Sequence, residues 1–414
     1  MLKKPLLFSK FKSVYQGEGI VGFLTAMLIF GVATGMFAGV LNNYLHDILG
    51  ISRAGRGIIE FPRELPGLLL FVIIGLLYRF SELKVMYFSL IISFLGLLGL
   101  GLFGFSIGPA IVLIILWSTG EHMLMPIKNS ITMHMARPGK DGLAMGGVGS
   151  IGNLGKLAGY YMVPLIFILY RKFIPSSPDI LPYRFTYLFG AAILLLGIFL
   201  TSRMKSTEKH VNRQKFVLQK KFTKYYILEM FFGARKQVFL TFAPYVLIIN
   251  YGAKTEYIAF LYSLWSLGNI FLNPLLGRLL DKVGYKIILV FDTVILVFLC
   301  FVYGFSQNFF SEPVAFVVVS IAFVLDAMLF MVGMARSKYV KTLSSSKEEV
   351  TSTLSAGISI NHLVSIIIAI AGGLLWESLG IEILFSIAAL FGVGSFIFSL
   401  TLPKHSCSQS DHYL

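Results

Sequence analysis

The sequence predicts an all-α membrane protein of about twelve transmembrane helices, organised as two halves of six. Of its 414 residues, 56% are hydrophobic and only 13% are charged, whereas about a quarter of the residues of a soluble domain are charged. Apolar runs of roughly 20 residues, the length of helix that crosses a bilayer, recur from end to end. Lipid offers the backbone no hydrogen-bond partners, so such runs must fold as helices. A basic stretch in the middle of the chain separates six runs from six.

The spans follow one another with short connections. They cover residues 18–46, 55–78, 84–105, 108–135, 142–170, 182–203, 222–251, 254–279, 285–306, 311–340, 350–378 and 380–401. The chain then divides into an interfacial N-terminal segment (1–17), an N-terminal bundle (18–203), a basic linker (204–221), a C-terminal bundle (222–401) and a tail (402–414). The N-terminal segment, the linker and the tail are expected on the cytoplasmic side.

The net charge of +15 indicates orientation in the membrane. Cytoplasmic loops of membrane proteins are enriched in Lys and Arg, and most of the 35 basic residues fall in loops on the side of both termini. The basic residues of the opposite loops are Arg53, Arg56, Arg171, Lys172, Arg184 and Lys254. We therefore expect both termini in the cytoplasm, a bacterial or archaeal inner membrane as the location, and no nucleic-acid partner.

The two halves are weakly similar to each other. When the chain is shifted by 208 residues, three pairs of polar or small residues coincide near the inner ends of corresponding spans. The pairs are Lys128 with Arg336, Gly149 with Gly357 and Asn153 with Asn361. Together with the central linker, this indicates a duplicated, pseudo-symmetric architecture.

The loop after the eighth span carries a motif that resembles a family signature. It reads Gly277-Arg-Leu-Leu-Asp281-Lys282-Val-Gly284-Tyr285-Lys286. It resembles the signature G-x-x-x-D-[RK]-x-G-[RK]-[RK] of the major facilitator superfamily, from which only Tyr285 departs. The resemblance implies two six-helix bundles around a central cavity, lined by helices 1, 4, 7 and 10, and alternating access by rocking of the halves.

The motif also implies a gate. The family pattern aims Asp281 at the N-terminus of the fifth helix, where the helix dipole is positive, with Gly277 and Lys282 in the same gating motif. Ordinary positive-inside loop charges are the alternative. On the fifth helix, glycines between Gly142 and Gly155 let helices approach closely; no strand precedes them, so a dinucleotide site is disfavoured.

The seventh span carries charges where lipid is expected. Ionisable residues inside a span are functional or paired by default. Glu229 and Lys236 are seven residues apart and share a helix face, which predicts a local ion pair. Arg235 is then the better substrate ligand for a carboxylate or phosphate, with Lys236 as a second candidate. The alternative is that Arg235 and Lys236 both snorkel to the cytoplasmic interface.

The fourth and tenth spans carry candidate proton-coupling carboxylates. Asp326 has no cation nearby in sequence, and burial without a partner favours protonation. Glu121, beside His122, is a second candidate for coupling or for substrate binding, unless it forms a structural bridge with Lys156. The repeated Asn153 and Asn361 complete the predicted substrate-binding residues.

The second span begins with an acid–base–acid cluster. Glu60 and Arg63, or Glu60 and Glu64, share a helix face, and Pro62 and Pro66 are expected to kink the helix. We expect the cluster at the extracellular mouth, as an outer gate or a substrate contact. The alternative is a self-satisfied charge cluster that ends the span.

The function predicted from these features is secondary active transport of a small organic solute, either neutral or anionic, coupled to protons. The expected partners are that solute, protons and the lipid bilayer, and the expected state is monomeric. No ATP-binding G-x-x-x-x-G-K-[ST] motif is present, and neither Cys300 nor Cys407 belongs to a metal-binding pattern. We expect no cofactor, no metal and no enzymatic activity; the alternatives are a drug or metabolite exporter of the same superfamily and a non-transporting sensor.

Overall fold

The structure, a computed structural model, describes residues 14–16, 19–77, 80–137, 141–174, 179–204, 218–345 and 347–403. Within these ranges the regular structure is helical, apart from one isolated β-bridge between Tyr15 and Ala136. Twelve long helices are numbered α1 to α12 below, and each differs from its predicted span by only a few residues at either end.

The first six helices form the N-terminal half. They are α1 (Ile20–Asn43, extended by a π-helical turn, Tyr44–Ile48), α2 (two segments, Arg53–Leu68 and Leu70–Leu76), α3 (Glu82–Phe103), α4 (Ile107–Met135), α5 (Asp141–Phe173) and α6 (Ile180–Ser202).

The C-terminal half repeats this arrangement. Its helices are α7 (Thr223–Tyr251), α8 (Thr255–Val283), α9 (Tyr285–Phe309), α10 (Glu312–Leu329 and Gly333–Leu343, joined by a 3₁₀ turn, Phe330–Val332), α11 (Lys347–Leu379) and α12 (Ile381–Leu400).

Ten of these helices are long and apolar enough to cross a membrane, so the chain is an integral membrane protein. The exceptions are α2, which is divided into segments of 16 and 7 residues, and α7, which is long; both carry the charged clusters described above. Both pack inside the bundle, with α2 against α4 and α11, and α7 against α11 and α12. Their charges are therefore met by neighbouring helices and not by lipid.

Glycines permit the closest helix approaches inside each half. A Cβ added to Gly155 or Gly159 of α5 would lie 2.1 or 2.2 Å from a backbone oxygen of α1. At Gly233 of α7 it would lie 2.6 Å from the carbonyl oxygen of Asn361 on α11. These helix pairs are in backbone contact, as small residues allow in membrane bundles.

The two halves meet along α2 with α11 and α5 with α8. We call the end at which α1 leads into α2 the outer end, following the predicted orientation, and the opposite end the inner end. At the outer end the Ala54 N–H donates to Glu377 Oε2 (2.9 Å), and Tyr183 is hydrogen-bonded to Thr255 (2.9 Å). The Tyr245 hydroxyl donates to the Ile51 carbonyl oxygen (3.3 Å). The halves are thus closed against each other at the outer end.

The inner end differs in its packing. A Cβ added to Gly149 or Gly152 on α5, or to Gly277 on α8, would have no atom within 4 Å. The inner parts of α5 and α8 therefore have space beside them, whereas the outer part of α2 does not: a Cβ on Gly57 would lie 2.1 Å from the Ala369 carbonyl oxygen of α11.

Of the predicted N-terminal segment, only residues 14–16 are described, and they pack on the inner ends of α4 and α5. The Tyr15 hydroxyl donates to the Ala144 carbonyl oxygen (2.8 Å) and the Gln16 N–H to the Met135 carbonyl oxygen (2.8 Å). Residues 205–217 of the predicted linker and residues 404–414 of the tail lie outside the described ranges.

Candidate transport site

The charged cluster of α2 lies near the centre of the helix. Pro62 and Pro66 precede a break at Leu69, where one helical segment ends and the next begins, as the prolines predict. At 1.5 Å per residue, Glu60 and Glu64 lie about 10 and 16 Å below the start of the helix at Arg53. Both are buried, 0% and 2% exposed. The expectation of an extracellular-mouth cluster is therefore wrong, because the span starts at Arg53 and continues well past the prolines.

Glu60 is surrounded by donors from both halves. Arg63 contacts it through two nitrogens, with Nη2–Oε2 at 2.5 Å and Nε–Oε1 at 2.9 Å, and Arg56 is a second ion-pair partner. Gln237 Nε2 of α7 donates to Glu60 Oε2 at 2.8 Å. The predicted Glu60–Arg63 interaction is confirmed, and the cluster includes a partner in the opposite half.

Glu64 joins three helices directly and a fourth through His362. It pairs with Arg63 of its own helix and with Lys236 of α7 (Nζ–Oε2, 3.3 Å), and His362 Nδ1 of α11 lies 2.5 Å from its Oε2. The His362 ring meets the His122 ring of α4 edge to face, with centroids 4.7 Å apart. This central junction, made of Arg63, Glu64, His122, Lys236 and His362, crosses the interface between the halves.

Three side chains of the central junction lie close enough together to be considered as metal ligands. Glu64, His122 and His362 each offer a ligand atom within 4.8 Å of the others, and His122 Nδ1 is held 2.7 Å from the Ser118 carbonyl oxygen. However, Arg63 and Lys236 already contact the same carboxylate. A divalent cation would have to bind beside two positive side chains, so this donor set is poorly suited to a metal.

Lys236 does not pair with Glu229. Glu229 receives Arg336 Nε of α10 (2.7 Å) and Asn361 Nδ2 of α11 (3.2 Å). The predicted Glu229–Lys236 pair is wrong because seven residues separate side chains by about 10 Å along a helix, and each finds a nearer partner on a neighbouring helix. Asn361, a predicted substrate ligand, is bound to Glu229 inside the C-terminal half.

Arg235 points into the C-terminal half. Its Nη1 lies 2.8 and 2.7 Å from the two carboxylate oxygens of Asp292 on α9, and its Nη2 lies 3.4 Å from Asp326 Oδ1 on α10. Arg235 is 5% exposed, Asp292 7% and Asp326 4%. Two predictions need correction: Arg235 is occupied by carboxylates and is not a free ligand in the cavity, and Asp326 has a cationic partner. The sequence does not reveal this partner, because Arg235 lies on α7, far from Asp326 in the chain.

Another polar group of the N-terminal half lies on α4 and α5. Glu121, Lys128 and Lys156 are partly exposed and close enough to influence one another electrostatically. The Glu121–Lys156 bridge, one of the two alternatives for Glu121, is not formed: among the described side chains, neither Lys128 nor Lys156 has a carboxylate within 4 Å. Instead, Lys156 Nζ lies over the Trp265 ring of α8, 5.6 Å from its centroid. Asn153 lies one turn before Lys156 and is partly exposed.

The predicted inner gate is described only in part. Gly277 and Lys282 lie in the last two turns of α8, and Lys282 is exposed. The side chains of Asp281 and of Asp141, at the start of α5, lie outside the described residues. The gating role of Asp281 therefore stays a prediction.

Sequence reasoning missed several members of these clusters. Asp292 is an acid about two turns into the ninth span. The rule that singled out Asp326 also applies to Asp292, but the resemblance directed attention to the four cavity-lining helices. His362 and Gln237 could not be singled out in the same way, because neutral polar residues are common inside membrane spans.

The family assignment agrees with this geometry. The profile of the Major Facilitator Superfamily matches residues 23–337 and, in a second match, 225–408. The chain belongs to this superfamily. Its family and fold are those of transport proteins that are generally non-enzymatic. No curated protein sequence matches the chain.

Solved structures share the fold across nearly the whole chain. A mutant of the nucleoside transporter NupG superposes with a TM-score of 0.72 at 15% identity, covering 92% of this chain and 99% of that one. The xylose transporter XylE from E. coli, in a partially occluded inward-open conformation, gives 0.69 at 14% identity, covering 93% and 98%. A POT family transporter in complex with 5-aminolevulinic acid gives 0.71 at 14% identity, covering 94% and 97%.

Proposed function

We propose that this protein is a secondary active transporter that moves a small organic solute by alternating access, driven by protons. The solute enters the space between the halves beside α4, α5 and the central junction. The protein acts as a monomer in a bacterial or archaeal inner membrane with both termini in the cytoplasm, as its basic loops indicate. A solved neighbour described as a D-xylose–proton symporter supports proton coupling by analogy.

The observation that carries the proposal is the buried group of Arg235, Asp292 and Asp326. Two carboxylates share one guanidinium, so the group would carry a net negative charge if both acids were ionised. Burying an uncompensated charge is costly, and taking up one proton removes it. Asp292 makes the two shorter contacts to Arg235, which leaves Asp326, at 3.4 Å, as the site that binds the proton.

In this arrangement, α7 couples protonation of Asp326 to the contacts between the two halves. Arg235 and the adjacent Lys236 diverge by about 100° around the helix, so Arg235 faces the proton site while Lys236 binds Glu64 across the interface. A change of charge at Asp326 shifts Arg235 and with it the part of α7 that carries Lys236. In the same scheme, Asp281 latches the inner end when the halves close there, with Gly277 and Lys282 beside it.

Replacing Asp326 by Asn should abolish accumulation driven by a pH gradient while leaving counterflow exchange largely intact. Asn mimics the protonated acid and leaves Arg235 and Asp292 as a neutral pair, so the bundle stays folded. The measurement is uptake into vesicles, with and without a pH gradient, beside exchange at equal pH. The first substrate is found with the binding panel described in the next subsection.

The matched control is Glu229→Gln, in a buried ion pair that has no surplus acid. It leaves Arg336 without its carboxylate, and we expect lower stability with coupling retained in the folded fraction. If Asp326→Asn still accumulates substrate against its gradient, the coupling site is elsewhere, with Glu121 as the next candidate. Loss of exchange as well would assign Asp326 to binding or folding. Absence of flux in the wild-type protein would favour a sensor.

A further inference from the structure

We propose that the transported solute is a small organic anion, held by the ammonium groups of Lys128 and Lys156 beside the Trp265 ring. This inference rests on the proposed transport function and names its substrate class. Lys156 lies on α5 and faces α8 through Trp265, and Lys128 lies on α4, close enough to Lys156 for the two ammonium groups to interact electrostatically. Neither was assigned a ligand role from sequence.

The first argument is that Lys128 and Lys156 lack an ion-pair partner among the described residues. The other described charges at the centre of the interface are matched: Glu60 by Arg56 and Arg63, and Glu64 by Arg63 and Lys236. Lys128 and Lys156 have no carboxylate within 4 Å among the described residues. Partly buried ammonium groups inside a membrane protein are expensive unless paired, so an anion from solution is the missing partner.

The second argument is the charge count. Among the described side chains of α2, α4 and α5, together with Lys236 of α7, the cations named next outnumber the carboxylates by two. The cations are Arg56, Arg63, Lys128, Lys156 and Lys236, and the carboxylates are Glu60, Glu64 and Glu121. The single negative charge of Glu121 acts on both Lys128 and Lys156 and does not balance them. A ligand with one or two negative charges would balance the site, whereas a cationic ligand would add to the excess.

The third argument concerns the body of the ligand. Beside Lys156, aromatic rings form a continuous wall on α5 and α8: Tyr160 stacks on Tyr262 with centroids 5.3 Å apart, and Tyr262 lies 6.0 Å from Trp265. Trp265 Nε1 is buried without a hydrogen-bond partner in the described part of the chain. Tyr160 and Tyr262 are buried, 1% and 8% exposed, so they support the partly exposed Trp265 ring from behind. An anion with an apolar or planar body would contact Trp265 beside the Lys156 ammonium group.

Access to this site comes from the inner end. Gly149 and Gly152 lie seven and four residues before Lys156, on the same face of α5, and the space beside both is open. The outer end is closed by the α2–α11 contacts. In this conformation the lysine pair can exchange its ligand with the inner side.

The test compares anions with their uncharged counterparts on purified full-length protein. The probe pairs are succinate with succinamide, benzoate with benzamide, and glycerol 3-phosphate with glycerol; they separate carboxylate from phosphate recognition. Affinity is measured by ligand-dependent unfolding temperature and by calorimetry. We expect at least one anion to bind and its neutral partner not to bind, and affinity to fall as ionic strength rises.

The variants Lys128→Gln and Lys156→Gln should each weaken binding of that anion about tenfold or more, as expected for loss of a hydrogen bond to a charged group. Lys128→Arg and Lys156→Arg keep the charge and should retain most of the affinity, which also separates ligand loss from misfolding. The control is Lys254→Gln, an exposed outer-loop lysine, which should bind as wild type does.

The proposal is overturned if no anion binds, if neutral counterparts bind equally well, or if both Lys→Gln variants keep wild-type affinity. Vesicle counterflow then separates the two proposals. Exchange of a neutral probe without anion binding would leave transport standing and remove the anion. Tight anion binding without any exchange would keep the anion site and count against the transport function.

Discussion

Arg235 and Lys236 are neighbours in sequence with different surroundings. Arg235 is held by Asp292 and Asp326 inside the C-terminal half, whereas Lys236 reaches Glu64 in the other half. The sequence shows that only one of two adjacent helical residues can face the cavity. It does not show which, because the deciding partners lie on α2, α9 and α10, far away in the chain.

Arg235→Ala should strongly destabilise the protein. It leaves two buried acids without their cation, and removing one member of a buried ion pair costs about 3–5 kcal/mol. The double variant Arg235→Ala/Asp292→Asn should recover part of the loss, because one surplus acid disappears and Asp326 can be protonated. Lys254→Ala is the control, since Lys254 is an exposed residue of an outer loop. Unfolding midpoints in detergent measure all three; equal midpoints for Arg235→Ala and wild type would contradict the structural role of the Asp292 contacts.

At the scale of elements, the sequence predicted the helices well and their partners poorly. Length and hydropathy determine where a span starts and ends, so all twelve helices agree with their predicted ranges to within a few residues. The neighbours of a polar helix face depend on the packing of helices that are distant in sequence. The cluster of α2 was thus predicted at the outer mouth but lies centrally, and Glu229 was matched with Lys236 in place of Arg336.

The glycines of α5 divide into two groups that predict different effects of a larger side chain. Gly149→Leu enters open space in this conformation, so the fold should be unchanged. If α5 approaches α8 when the inner end closes, the added side chain opposes that state by about 1–3 kcal/mol. Counterflow exchange should then slow by roughly 5–150-fold, while ligand binding and the unfolding temperature stay near wild type.

Gly155→Leu is the matched comparison on the same helix. Its Cβ would lie 2.1 Å from the Leu28 carbonyl oxygen, a backbone contact that cannot yield without moving α1 away from α5. We expect it to misfold or to lose much of its stability. Wild-type exchange in a folded Gly149→Leu protein would show that the inner ends of α5 and α8 do not close on each other.

For the whole molecule, the structure is closed at one end and has free space at the other, as one state of the proposed alternating-access cycle would be. The halves meet at the outer end and at the central junction, and the inner parts of α5 and α8 have free space beside them. The contacts that α2 makes across the centre include ion pairs and hydrogen bonds: Lys236 and His362 on Glu64, and Gln237 on Glu60. Polar contacts can be exchanged for water when the halves separate, at a smaller cost than a dry apolar interface.

Glu64→Gln should therefore open the outer end. The substitution removes the charge that attracts Lys236 and His362, and a hydrogen bond to a charged group contributes roughly 1.5–3 kcal/mol, equivalent to about a 10- to 150-fold change in populations. Spin labels at Ile107→Cys and Phe310→Cys, exposed sites at the outer ends of α4 and α9, report the distance between the halves when Cys300 and Cys407 are replaced by Ser. We expect a longer-distance population in Glu64→Gln.

The control is Glu312→Gln, which changes an exposed acid at the same end. It should leave the distances as in wild type, because Glu312 makes no contact across the interface in the described residues. If Glu64→Gln also leaves them unchanged, Glu64 does not hold the outer end closed, and the α2–α11 backbone contacts at Gly57 and Gly373 become the elements that do so.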